Sequence, residues 1–229
     1  MPSWNIHTAH VERLLSEGSS SALGIRHEDD FLFGNLVPDV YVGYMVENPT
    51  RKIPYRDTHF SDPTFIPAPD ASCFYNRYVQ GRDASDVVLG AWTHLLCDHY
   101  YNLRTSQYIA SIGVEPGEQT RIRKQADFNL FGRTLDISHV PHVTQRLLDL
   151  CASFPQYPVE ETDVRAAADV QADIVRRNQE QHVEEEPAYS LLNASFFQAT
   201  YHEVCEVMRE ALRRYAAGQY AGDLGSSVV

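Results

Sequence analysis

The sequence predicts an all-α protein, a single-domain multi-helix bundle. Three observations carry that expectation. Apolar residues recur at helical spacing from the start of the chain, capping residues stand before the longest such pattern, and no segment alternates strongly enough to demand a sheet. At 229 residues the chain is long enough to bury a core without disulfide or metal staples.

The elements follow in order. His7, Val11 and Leu14 recur at i, i+4 and i+7, so they share one helix face that begins at His7. A second apolar segment, residues 31–39, leads through Pro38 into residues 40–46. Pro38 begins a helix or bends one, and Asp39 directly follows it. Pro49, Pro54, Pro63, Pro67 and Pro69 are too many for a regular helix, so residues 47–72 are expected to form a surface loop with His59 inside it. Asp83 and Ser85 can cap the next helix, whose inner face runs through Val87, Ala91, His94, Asp98 and Tyr101. Beyond a turn at 113–117 come helical patterns near 140–151 and 163–178, then an acidic patch at 184–186 that is expected to be solvated. The last helix, roughly 188–215, ends in Arg213 and Arg214, which suit the negative end of its dipole. Residues 1–217 are thus the expected domain, and 218–229 a flexible tail.

Composition narrows the function classes. With 31 acidic against 19 basic residues the formal charge is -12, which disfavours nucleic acid and anionic membrane as partners. Cys73, Cys97, Cys151 and Cys205 are widely spaced, with no C-x-x-C pair, and read as buried free thiols. The first residues carry neither a basic segment nor an apolar run, and no uncharged apolar stretch approaches the ~20 residues of a membrane helix. A cytoplasmic location is the expectation, with no stable membrane association.

Chemistry concentrates in Thr93-His94-Leu95-Leu96-Cys97-Asp98. A helix turns about 100° per residue, so His94 and Asp98 return to one side and can share a metal ion. A buried hydrogen-bonded His–Asp pair fits the same spacing. Three further metal-capable side chains, His7, Asp39 and His59, stand in structured or apolar settings.

Together these segments resemble the zinc-dependent phospholipase C family. His7-Thr8-Ala9-His10-Val11-Glu12-Arg13-Leu14-Leu15 is similar to the family's early ligand histidine opening an amphipathic helix. Phe33-Gly34-Asn35-Leu36-Val37-Pro38-Asp39 resembles the Gly-x-x-x-Pro-Asp phrase of its intracellular members, and Asp57-Thr58-His59-Phe60 stands in the place of its loop ligand. His94-x-x-x-Asp98 resembles its central helix, whose carboxylate can bridge two metals. The match covers roughly the first half of the chain.

The resemblance implies an all-helical bundle that gathers His7, Asp39, His59, His94 and Asp98 around zinc, with Asp98 as the bridge and Asp39 as ligand or general base. The mixed imidazole and carboxylate set also admits manganese or iron, and disfavours calcium and magnesium. Two departures limit the metal count to one or two ions. Secreted members use an N-terminal Trp as a ligand, whereas Trp4 here follows Met1-Pro2-Ser3, and Arg104 stands where a further ligand histidine is expected. His202 and Glu206, also spaced i, i+4, are a possible late ligand pair or an exposed charged pair. His99 points about 100° away from Asp98. His139 and His142 read as surface or structural residues, and Arg104 and Lys124 as possible phosphate partners.

The expected activity is hydrolysis of a small phosphoester or phospholipid head group by a metal-activated water. Helical phosphohydrolases with an adjacent His-Asp motif fit less well, since the pair here reads Asp98-His99. The alternative is a non-catalytic metal-binding protein that recognises a phosphorylated ligand or partner. The sequence leaves oligomeric state open.

Overall fold

A buried central helix organises the molecule. In the computed structural model, which describes residues 2–225, helix α6 (Asp86–Ser111) is buried at every position from 86 to 99, the mark of a helix surrounded by others. The Ser85 hydroxyl caps it by accepting from the Val88 amide, as its sequence suggests. Around it stand α1 (Trp4–Glu17), α2 (Glu28–Gly34), α3 (Val37–Val40), α4 (Tyr55–His59), α5 (Ala71–Tyr78), α7 (Glu118–Gly132), α8 (Gln145–Ala152), α9 (Glu161–Glu180) and α10 (Ala194–Ala216). Two 3-10 turns, Ser20–Leu23 and Gly222–Gly225, complete the described residues, which contain no strand and are 62% helical. The fold is all-α, as expected. None of the described helices is long and apolar enough to cross a membrane.

The contact that matters most for the site is between α2 and α6. A Cβ added at Gly34 would lie 2.3 Å from the Val87 carbonyl oxygen, and one at Gly90 would lie 2.1 Å from that of Phe31. Only glycines permit this backbone approach. It seats the Asn35 carbonyl against His94, where Nδ1 donates to it over 2.7 Å. Gly90→Ala is therefore expected to destabilise the protein by about 3 kcal/mol, because backbone rather than a flexible side chain blocks the new methyl. Urea unfolding midpoints measure this, and an unchanged midpoint would contradict the close crossing.

Several boundaries differ from the sequence expectation. The proline-rich segment at 47–72 is not all loop, since α4 forms inside it and Asp70 caps α5 by accepting from the Cys73 amide at 2.8 Å. The sequence pattern missed α7 because its buried face includes Thr120, Lys124 and Asp127 beside Phe128 and Phe131, which breaks the apolar period. Helix α8 starts five residues later than the pattern near 140–151 suggests, at the Thr144 cap, whose hydroxyl accepts from the Leu147 amide. Helix α10 starts late because the Asp127 carboxylate takes the amides of Ser190, Leu191 and Leu192 at 2.7–2.8 Å, and Asn193 then caps the helix. Those amides are held in a loop.

The expected free tail is also corrected. Ala221, Gly222 and Gly225 are buried, Ser72 donates to the Gly222 carbonyl, and Tyr100 donates to that of Leu224 at 3.0 Å. Packing on α5 thus continues through residue 225, and 226–229 lie outside the described residues. All four cysteines are free, with Cys97, Cys151 and Cys205 buried.

Candidate metal centre

Four short stretches of chain deliver five side chains to one buried point. The first turns of α1 supply His7, α3 supplies Asp39, α4 ends on His59, and successive turns of α6 supply His94 and Asp98. Pro38 sits in the first turn of α3, so it starts a helix and points Asp39 inward. Phe60, next to His59, holds a left-handed φ of 53°, a conformation that a bulky side chain adopts only when its surroundings demand it. All five side chains are buried, and Asp39 at 9% is the most exposed of them.

Their donor atoms form two groups that share His94, one with His7 and Asp98 and one with Asp39 and His59. The Nε2 atoms of His59 and His94 are 3.2 Å apart. Nε2 of His59 lies 3.6 Å from Oδ1 of Asp39 and 3.6 Å from Oδ2 of Asp98. Nε2 of His94 lies 3.9 Å from Oδ2 of Asp39 and 3.8 Å from Oδ2 of Asp98. The other Asp98 oxygen, Oδ1, faces Nε2 of His7 at 3.2 Å. Asp98 therefore presents one oxygen to each group, as a bridging carboxylate would. Tetrahedral coordination with bonds of 2.0–2.1 Å places donors about 3.4 Å apart, so these separations suit one ion held by Asp39, His59 and His94, with Oδ2 of Asp98 at 3.6–3.8 Å from both imidazoles.

The imidazoles are oriented for it. Nδ1 of His94 faces a backbone carbonyl, which only accepts, so the proton is on Nδ1 and Nε2 is a bare lone pair. The Thr58 hydroxyl donates to the Tyr55 carbonyl and accepts from Nδ1 of His59, 2.7 Å away, which bares the second Nε2 in the same way. Two bare lone pairs 3.2 Å apart do not hydrogen-bond to each other. Protonation is no remedy, since burial pushes His94 down and His59 to about 4. A shared cation resolves the opposition, and a second partner on each ring's other nitrogen is what metal-ligating histidines need. Buried polar groups hydrogen-bonded only to one another would leave these two nitrogens unmatched.

The carboxylates are set apart in the same way. The Trp4 indole N–H donates to Oδ2 of Asp39 at 3.0 Å, and the Tyr55 hydroxyl donates to Oδ2 of Asp98 at 3.1 Å. Burial raises Asp39, against the pull of His94. Burial also pushes Asp98 up, but the His7 hydrogen bond and the neighbouring imidazoles outweigh it and hold that carboxyl well below its usual range. One acid is thus the firm anion and the other the stronger base, the kind of separation that assigns different roles to paired acids. The Tyr55 ring also stacks on His59, with centroids 3.8 Å apart, and His7 stacks on His94 at 4.0 Å.

Residues named from the sequence outside this cluster divide clearly. Lys124 is buried, and burial pushes its ammonium down. Arg104 is not directed at the cluster, because its guanidinium grips Glu203 on α10 and also reaches Gln107. His202 and Glu206 are exposed, and Glu206 pairs with Arg209, so this i, i+4 pair is not part of the cluster. His99 donates through Nδ1 to the Pro69 carbonyl at 2.7 Å. His139 and His142 flank Asp29 at 2.9 and 3.2 Å, on the surface. The sequence reading missed Trp4 as a partner of Asp39, and missed Tyr55, Thr58 and the Asn35 carbonyl. Trp4 alone left a signal, standing three residues before His7 on the same helix face.

No protein-family model, curated protein or solved structure matches this chain. The buried His and Asp groups could hold a metal ion, and the donor chemistry above is what indicates it.

Proposed function

We propose that the protein is a metal-dependent phosphoester hydrolase acting on a small phosphoester. The observation that carries this reading is the opposed pair of bare Nε2 atoms on His59 and His94, 3.2 Å apart and flanked by oxygens of Asp39 and Asp98. The likeness of these segments to zinc-dependent phospholipase C supports zinc, with manganese or iron as alternatives for the same donors. One ion fits among Asp39, His59, His94 and Asp98, and a second would take His7 and Oδ1 of Asp98. When bound, the metal lowers the pKa of a water towards ~7 and polarises a phosphoryl oxygen.

The chain's own residues supply the rest. Asp39, the more basic and more exposed acid, accepts the proton of the attacking water through Oδ1, while the Trp4 indole holds Oδ2. Asp98 stays ionised, and Tyr55 fixes its orientation. Of the two candidate phosphate partners, Arg104 is committed to Glu203, which leaves Lys124 for that role. The net charge of -12 favours a small soluble substrate over an anionic bilayer or nucleic acid, and a cytoplasmic setting is consistent with that.

The same donors would also serve a non-catalytic protein that binds a phosphorylated partner, but an acid raised by burial beside one held well below its usual range favours catalysis. Zinc- or manganese-loaded protein is expected to hydrolyse a chromogenic phosphate mono- or diester between about pH 5 and about pH 9. Full metal occupancy without turnover on either ester would replace the hydrolase with the binding protein.

A further inference from the structure

A second site lies beside the start of α1, at Trp4 and Asn5. A cleft of about 320 Å³, at the low end for small-molecule sites, opens where α1, α7 and α9 meet, lined by Trp4, Asn5, Met45, Arg133, Asn178 and Gln181 among others. Its lining includes two arginines and four carboxamides but no Asp or Glu. In a chain with 31 acidic residues and a charge of -12, that local balance stands out. Arg177 is offset by Asp173 at 2.7 Å. Arg133 has no carboxylate partner among the described residues, and only its Nε is engaged, donating to the Gln181 carbonyl at 3.0 Å.

The walls are built rather than incidental. Gly132 makes room for the Asn5 carboxamide, since a Cβ there would lie 2.3 Å from its Nδ2. Asn5 donates to Asn178 at 3.0 Å, and Asn178 donates to the Leu135 carbonyl at 2.7 Å. The amides are thereby fixed before any ligand arrives, and the terminal nitrogens of Arg133 form a planar fork suited to phosphate oxygens. We propose that this cleft binds a phosphorylated small molecule, with Arg133 on the phosphate and the Asn and Gln amides on the neutral remainder. This site is separate from the metal centre, but its lining includes Trp4, whose buried indole holds Asp39.

The test uses the two indole N–H signals of the ¹⁵N-labelled protein, with Trp92→Phe to assign that of Trp4. Metal is removed first, so that a phosphate at the metal centre cannot produce the response, and ionic strength is held constant. Glycerol 3-phosphate is expected to shift the Trp4 signal saturably, glycerol is expected to leave it in place, and acetate is expected to act far more weakly. Arg133→Gln should weaken binding about tenfold or more, the usual size of a lost charged hydrogen bond, and Arg133→Lys by less. Gly132→Ala should weaken it as well, by displacing Asn5. An equal response to acetate, the absence of saturation, or unchanged binding in Arg133→Gln would overturn the proposal. In the last case Arg133 serves only to cap the end of α9. A saturable shift in metal-free protein stands whether or not the hydrolase reading does.

Discussion

His94→Ala and Asp98→Ala are each expected to lower metal affinity at least about 100-fold while leaving helical content largely intact. Nε2 of His94 is a donor within reach of either group and Asp98 offers an oxygen to each, so either loss removes a ligand from the ion expected among Asp39, His59, His94 and Asp98. The fold survives because its core is large and apolar without them. Tyr55→Phe and Trp4→Phe should cost less, about 10-fold, since each removes only a hydrogen bond that steadies a ligand. His202→Ala should leave metal binding unchanged, because His202 is exposed on α10 away from the cluster. Equilibrium dialysis with zinc, checked by circular dichroism, compares these variants. A His202→Ala loss as large as that of His94→Ala would put the centre in the wrong place.

Asp39→Asn is expected to lower turnover by about 10²-fold to 10⁴-fold, the range of general-base contributions, and to lower metal affinity by much less. An amide still offers an oxygen to a cation but cannot take a proton from water. Oδ2 of Asp39 already accepts from Trp4, so an Asn carbonyl in that position keeps the hydrogen bond and leaves an NH₂ where the base was. Steady-state rates and metal content measured on the same preparations separate the two effects. Equal losses in both would make Asp39 a ligand only, and unchanged turnover would remove it from the chemistry.

The sequence made α6 legible because a cap, a long apolar period and two polar residues one turn apart coincide there. His202 and Glu206 have the same spacing, yet they face solvent. Spacing places two side chains on one face but does not say which way the face points, and only the apolar neighbours of His94 gave that information. Helix α7 was hidden by Thr120, Lys124 and Asp127, polar residues on its buried face, of which Asp127 is buried because it binds a loop. The hydrogen bond that fixes the His94 tautomer was illegible for a different reason. It comes from the backbone carbonyl of Asn35, which is brought into place by two glycines whose role is to be small.

The most direct measurement is elemental analysis of the protein purified without chelator. One to two equivalents of a transition metal are expected, because the donors around His59 and His94 suit one ion, and His7 with Oδ1 of Asp98 offers a place for a second. Protein that is metal-free, and that also fails to take up added zinc or manganese, would contradict the account and leave the cluster a hydrogen-bonded polar core.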